Sequence, residues 1–320
     1  MPMTTIACLS PFSEDLVLKL AGTQDVKVIL APQPPVQAEL PDVVADADIV
    51  ISDNTHRYKL DRTALQAMRR CRLIQQPAVG FDVVDHHAAA ELGIPVANAQ
   101  GYNRDSVADL VLLGALTLVR HAARADRGMR HGGWPKDRIG NELGTRTVGI
   151  IGLGNIGTAV AARLKAFGCR ILFHDIAARS MAGAESVSQE ELLANSDIVT
   201  VHVPLDAETR GLIGTTELAT MRKGSILINT SRGPVVDEAA LVAALGSGHL
   251  GGAALDVFEV EPLAADSPLR TMENVFITPH IGGATEEAKA RAMNTVEINI
   301  RRVIDGKPPF NVVNFTTYRG

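Results

Sequence analysis

The stretch Thr147-Val-Gly-Ile-Ile151 followed by Gly152-Leu-Gly154-Asn-Ile-Gly157 constrains this chain more than any other. A G-x-G-x-x-G string alone says little in a sequence with 28 glycines. Here it follows a buried-type apolar strand and precedes a helical pattern, Ala159 to Phe167, that stops at Gly168. In that context each glycine has a mechanical reason. Gly152 lets the strand turn sharply, Gly154 lets the backbone approach a pyrophosphate, and Gly157 lets helix pack close on strand. The helix start adds free N–H groups and a positive dipole end. A plain strand-to-helix turn is the bland alternative, and it leaves the glycine spacing without a purpose. Asp175 stands 18 residues beyond Gly157, after the apolar run Arg170–His174. A carboxylate there accepts hydrogen bonds from ribose hydroxyls and repels a 2′-phosphate, which points to NAD rather than NADP. Arg179 leaves a phosphate partner open, although a solvated surface charge explains it as well.

The turn belongs to a longer alternation. Strands are expected at Thr147–Ile151, Arg170–His174, Asp197–His202, Ser225–Asn229, Gly252–Val257 and Val275–Thr278, with helical patterns between most of them. Six such strands suit a doubly wound parallel sheet. A first alternation precedes it, with strands at Thr4–Leu9, Val26–Leu30, Ala47–Ser52 and Leu73–Gln75, and helices at Ser13–Leu20 and Arg62–Arg70. Ser106–His121 reads as a helix apolar almost all round, hence buried between layers or at an interface. Arg120–Asn141 is basic, glycine-bearing and home to the only Trp, Trp134, so it reads as a linker or arm. The chain closes with a helix, Glu286–Ile304, and a proline-bearing tail. At 320 residues two α/β domains are expected.

Composition narrows the function class. A formal charge of −5, from 31 basic and 36 acidic residues, argues against a broadly basic nucleic-acid or membrane-surface binder. The three cysteines, Cys8, Cys71 and Cys169, are too scattered for a disulfide framework or a zinc site, and no metal-ligand cluster stands out. Without a signal-like N-terminus or an 18-residue apolar run, a soluble cytoplasmic protein is the expectation.

Three polar segments sit at strand ends in the second half, where a doubly wound sheet binds its ligands. They are Ile228–Pro234 with Arg232, Leu255–Pro262 with Glu261, and Thr278–Gly283 with His280. Singly, each has an ordinary reading: a surface ion pair, a loop charge, a capping residue. Together, behind a dinucleotide turn, they resemble the D-isomer-specific 2-hydroxyacid dehydrogenases. Val79-Gly-Phe-Asp82, Ser106-Val-Ala-Asp109 and His202-Val-Pro204 extend the resemblance over nearly the whole chain.

The resemblance implies two doubly wound, Rossmann-like parallel-sheet domains around a central cleft. Residues 1–99 with 285–320 would form a flavodoxin-like substrate domain, and 100–284 the NAD domain. It implies His280 as the acid/base, Glu261 as its orienting partner and Arg232 as the substrate clamp. Backbone N–H groups near Val79 and Gly80 would hold the substrate carboxylate. Cofactor contacts fall to Gly152, Gly154, Asn155, Ile156, Gly157, Asp175, His202, Val203, Pro204, Thr209, Thr230, Ser231, Arg232, His280 and Gly283, with Asp256 facing the nicotinamide carboxamide. A homodimer is implied, and the apolar helix and Trp134 arm suit it. Some departures bear on substrate. Ser52-Asp53 stands where phosphoglycerate enzymes tend to have Arg-Ser, which argues against a 3-phosphate pocket. Formate enzymes place glutamine where Glu261 stands, and phosphite enzymes have lysine at the Val79 position. An NAD(H)-sensing regulator on the same fold remains the alternative from another class.

Overall fold

The computed structural model describes residues 3–137 and 139–315; Arg138 of the basic arm and the end of the tail lie outside them. The chain divides into two compact units. One holds the residues up to Asn103 together with those from Glu286 on, and the other is Arg104–Thr285.

The first unit runs β1 (Thr4–Cys8), α1 (Glu14–Ala21), β2 (Val26–Leu30), α2 (Leu40–Val44), β3 (Ile49–Ile51), α3 (Arg62–Ala67), β4 (Leu73–Gln75), α4 (His86–Glu91) and β5 (Val96–Ala97). The sheet order is β2-β1-β3-β4-β5, all parallel. This is the flavodoxin-like order, with its switch point between β1 and β3. Local chemistry fixes the elements. Ser13 accepts the Leu16 N–H at 3.3 Å to start α1, and Gly22, at φ 72°, ends it. β5 is a two-residue strand, too short to announce itself by pattern.

The second unit follows with α5 (Arg104–Val119), α6 (Ala122–Arg130), β6 (Thr147–Ile151), α7 (Asn155–Phe167), β7 (Arg170–His174), β8 (Glu185–Ser186), α8 (Gln189–Asn195), β9 (Ile198–Val201), α9 (Thr215–Thr220), β10 (Ile226–Asn229), α10 (Glu238–Gly246), β11 (Gly252–Leu255) and β12 (Val275–Ile277). Its order, β12-β11-β10-β9-β6-β7-β8, is the doubly wound one, reversing between β6 and β9. The sheet has seven strands, not six: exposed Glu185–Ser186 pairs along β7, and neither length nor polarity betrays it as a strand. The expected arm also contains a helix. α6 has no buried residue, and its arginines and glycine make the segment read as an arm.

Both faces of this sheet are covered, so its strands are nearly continuous in Val, Ile, Leu and Ala. α5 lies close against it. A Cβ on Gly114 would come within 2.8 Å of the Ala254 Cβ, so this helix can sit where it does only with glycine there. Back in the first unit, α11 (Glu286–Ile304) completes the core, with Val296, Ile300 and Val303 packed among Ile6, Cys8 and Ile49. The buried Asn299 Nδ2 donates to Gln75 Oε1 at 2.8 Å and to the Phe310 carbonyl at 3.0 Å, tying this helix to the end of β4. Among the described residues no single helix is long and apolar enough to cross a membrane, and no His/Cys/Asp/Glu group could hold a metal.

Candidate active site

Every polar residue singled out in the second half follows the carboxyl end of a strand of the seven-stranded sheet. The glycine turn follows β6. Gly152 has φ 91°, and a Cβ there would meet the His202 carbonyl oxygen at 2.6 Å. A Cβ on Gly157 would lie 2.1 Å from the Gly152 oxygen, whereas one on Gly154 would meet nothing within 4 Å. So Gly152 and Gly157 are forced by packing, and Gly154 faces open space, as a backbone that receives a phosphate must. Gly154 is also the N-cap of α7 and gives it no side-chain cap, so the first N–H groups stay available. Asn155 is exposed at that helix start and Ile156 is half-buried.

Asp175 follows β7. Its Oδ2 accepts the Leu153 N–H at 2.7 Å and its Oδ1 accepts the Ala177 N–H at 2.8 Å. The carboxylate is thereby fixed beside the glycine turn. Arg179, half exposed, reaches only 4.0 Å from Oδ1. His202 follows β9; burial pushes its pKa down to about 3, so the ring is neutral, with Nε2 3.0 Å from the Thr200 hydroxyl. Its Nδ1 and the Thr230 Oγ1 are buried polar atoms without a partner among the described residues. Two orphaned groups on this rim, an uncapped helix start and a fixed carboxylate fit a dinucleotide. Val203 and Pro204 continue from His202. Thr209 uses its hydroxyl to close that loop, donating to the Pro204 carbonyl at 2.6 Å.

Arg232, Glu261 and His280 come together in this unit. The His280 Nδ1 lies 2.8 Å from Glu261 Oε2, and Glu261 Oε1 accepts the Phe258 N–H at 3.1 Å. The Glu261 hydrogen bond raises the His280 pKa against the opposing effect of burial, and the Glu261 charge adds to the rise. For Glu261, burial pushes upward, but the His280 hydrogen bond and charge, then Phe258 and Arg232, outweigh it and lower its pKa. With Nδ1 committed to Glu261, Nε2 is the ring nitrogen left for chemistry. Arg232 is half-buried, its Nη1 donating to the Ser231 carbonyl at 2.8 Å.

Two features of this cluster are not visible in residue type. Gly233 sits so close to the next loop that a Cβ would come within 1.8 Å of the Phe258 oxygen. That contact brings the Arg232 segment against the segment carrying Glu261. Buried Asn229 finishes the positioning: its Nδ2 donates to the Arg232 carbonyl at 2.9 Å, and its Oδ1 accepts from the Ser231 N–H at 3.0 Å. Motif position flags both residues, but only the backbone approach shows why they are Gly and Asn.

The second feature is Asp256, 2% exposed. Its Oδ1 accepts from Thr278 Oγ1 at 2.5 Å and from the Ile281 N–H at 2.8 Å, and its Oδ2 accepts the Gly282 N–H at 2.7 Å. The Asp256 carbonyl takes the His280 N–H at 2.8 Å. One residue therefore brackets His280, whose backbone is left-handed at φ 55°, a conformation that costs a non-glycine residue energy unless its surroundings impose it. Asp256 thus has a task beyond the carboxamide contact implied by resemblance. Gly283, half-buried, follows in the same loop.

Val79 and Gly80 belong to the first unit, in the loop after β4. The Val79 carbonyl accepts from Asn98 Nδ2 at 2.7 Å. In the same unit Asp53, 1% exposed, accepts from the N–H groups of Thr55, Arg57 and Tyr58 at 2.8–2.9 Å. It is a loop-forming residue.

A family model described as D-isomer specific 2-hydroxyacid dehydrogenase, NAD binding domain, matches residues 112–282. The chain is 40% identical over 315 residues to the glyoxylate reductase of Aeropyrum pernix, covering 95% of this chain and 93% of that protein. It is 38% identical over 320 residues to the D-3-phosphoglycerate dehydrogenase of Methanocaldococcus jannaschii, covering 98% of this chain and 60% of that one. The crystal structure of a glyoxylate reductase from Paecilomyes thermophila matches with a TM-score of 0.91 at 29% identity, over 98% of this chain and 99% of that chain.

If Asp256 is the clamp on the His280 loop, Asp256→Asn replaces a charged acceptor by a neutral amide of the same shape. Hydrogen bonds to a charged group contribute about 1.5–3 kcal/mol each, so the Ile281 and Gly282 amides should exchange with solvent at least about tenfold faster. Unchanged protection of those two amides would show that the loop is held by something else.

Proposed function

The chain belongs to the D-isomer-specific 2-hydroxyacid dehydrogenases, and from that premise we propose that it reduces a small 2-oxo acid to the D-2-hydroxy acid, with His280 supplying the proton. It is an NAD-dependent D-2-hydroxyacid dehydrogenase. The observation that carries the finer reading is the 2.8 Å pairing of His280 with Glu261. It fixes the tautomer, orients the ring and keeps it protonated to higher pH than an ordinary histidine.

When bound, the reduced nicotinamide supplies the hydride for the carbonyl carbon. The remaining work falls to side chains. Arg232, planar and permanently charged, pairs with the adjacent carboxylate and carbonyl oxygens and so polarises the carbonyl. As negative charge grows on that oxygen, His280 donates its Nε2 proton to it. The ring is left neutral, still hydrogen-bonded to Glu261, and regains a proton from solvent. In the oxidative direction neutral His280 takes the hydroxyl proton. Val79 and Gly80 are assigned the substrate carboxylate through their N–H groups. NAD is favoured over NADP because Asp175 presents a fixed negative charge beside the glycine turn.

Two observations support a small, unphosphorylated substrate. Asp53 offers a carboxylate already engaged by its own loop where a phosphate would need a cation. Relatives named glyoxylate reductase match the chain at 39–40% identity. We further infer a cytoplasmic homodimer. Cys8 and Cys169 are buried free thiols, in keeping with a reducing compartment. Met129, Trp134 and Ile139 are 48%, 70% and 93% exposed along the arm, more apolar surface than a free arm needs.

The substrate reading is tested by offering glyoxylate, pyruvate, hydroxypyruvate, phenylpyruvate and 3-phosphohydroxypyruvate with NADH or NADPH and following loss of the reduced cofactor. Turnover should be highest with a small unphosphorylated acid and NADH. His280→Gln should lose about 10²–10⁴-fold in kcat with NADH affinity nearly unchanged. NADH binding with negligible turnover of every acid would instead mark a sensor, and a preference for NADPH would remove Asp175 from its role. Sedimentation at micromolar concentration should give a dimer; a monomer with and without NADH would contradict the inference from the arm.

A further inference from the structure

In the first unit the pairing of β4 with β5 runs on past the ends of both strands. The Gln76 N–H donates to the Ala97 carbonyl at 2.8 Å, and the Ala99 N–H to the Ala78 carbonyl at 3.0 Å. Beyond Ala78 that ladder stops. The next carbonyl, that of Val79, is held by a side chain instead: Asn98 Nδ2 donates to it at 2.7 Å. We infer that Asn98 is a positioning residue for the substrate carboxylate, acting through the Val79–Gly80 peptide. The inference rests on the proposed assignment of that carboxylate to the Val79 and Gly80 N–H groups.

A trans peptide is planar, with its carbonyl and its N–H on opposite sides. Both peptides of this segment are trans. Fixing the Ala78 carbonyl therefore aims the Val79 N–H, and fixing the Val79 carbonyl aims the Gly80 N–H. Both carbonyls are held from one short segment, Asn98–Ala99, so both N–H groups are turned from it. Successive N–H groups turned the same way form a concavity for an anion. Among the described residues neither N–H donates to a protein acceptor, and both residues are half-buried rather than enclosed.

At Asn98 only the side chain can do this, because its own N–H donates to the Asn311 carbonyl at 3.2 Å. The tail that supplies that carbonyl is itself fixed. Asn299 of α11 accepts the Phe310 N–H on Oδ1 at 2.8 Å and donates from Nδ2 to the Phe310 carbonyl at 3.0 Å. The Val313 N–H donates to the Val96 carbonyl at 2.8 Å. Asn98 is thus gripped by the tail and grips the loop. It is 5% exposed, so little water competes for the Val79 carbonyl. A residue without a donor there would leave that carbonyl unmet and the Val79–Gly80 peptide able to rotate.

The full chain, saturated with NADH, is titrated with oxamate, an unreactive analogue of a 2-oxo acid, while the Val79 and Gly80 amide signals are followed by NMR. In the wild type both signals should move. If oxamate fails to bind, or binds with neither signal moving, the carboxylate assignment falls and this inference falls with it. Asn98→Ala should weaken oxamate binding about tenfold or more and raise KM for the best 2-oxo acid to a similar extent. Its kcat should be retained, because the carboxylate is bound alike in ground and transition states. Asn98→Ser, which leaves a smaller void and a hydroxyl too short to span to Val79, should do the same. Asn314→Ala is the comparison. Asn314 accepts the Val96 N–H at 2.9 Å and donates to the Ile94 carbonyl at 2.8 Å, so it holds β5 without touching the loop. That variant should lose thermal stability and leave KM in place. Moving signals in the wild type, with oxamate bound as tightly by both Asn98 variants, would overturn the role of Asn98 alone. An equal rise in KM in Asn314→Ala would overturn it too, by marking a general loosening of β5.

Discussion

The buried carboxylate of Asp256 is the interaction on which the candidate active site depends. It gathers the Thr278 hydroxyl and the Ile281 and Gly282 N–H groups onto one side chain, and its own carbonyl takes the His280 N–H. These bonds hold His280 in a left-handed backbone at φ 55°, which costs a non-glycine residue energy. Once His280 is fixed, Glu261 has a stationary partner, and a 2.8 Å hydrogen bond sets both tautomer and pKa. The chain of causes runs from a satisfied buried charge to a loop conformation, and from there to the residue proposed as proton donor.

Close backbone approach is the second constraint. At Gly157 the helix meets its own turn, at Gly233 the Arg232 loop meets the Phe258 segment, and at Gly114 a helix meets the sheet. Each spacing is smaller than a Cβ allows. The parallel sheet places all six loops of the candidate site on one rim, but these glycines set how closely the packed segments approach.

Much of this is legible in the sequence because the signals are local. Ser13 and Gly22 mark the ends of α1, apolar runs mark the long strands, and the strand–glycine–helix order marks the phosphate turn. What stays hidden is set by tertiary contact. β5 and β8 are two-residue strands defined only by their neighbours. α6 buries no residue against its own unit. Asp256 and Gly233 are recognisable as motif members, yet what each does depends on loops distant in sequence arriving at the same place. Asp53 is similar: residue type shows only the missing arginine, and the structure shows a carboxylate closing its own loop.

The central claim is that Glu261 sets the protonation of His280, and the pH–rate profile of 2-oxo acid reduction by Glu261→Gln tests it most directly. In the proposed mechanism reduction needs protonated His280, so activity should fall as pH rises through its pKa. In the wild type that pKa is raised by Glu261, which places the alkaline limb above that of an ordinary histidine. Replacing the carboxylate by an amide removes the charge, lowers the pKa and moves the alkaline limb to lower pH, with NADH affinity retained. An alkaline limb that stays in place or moves to higher pH would contradict the pairing and the mechanism built on it.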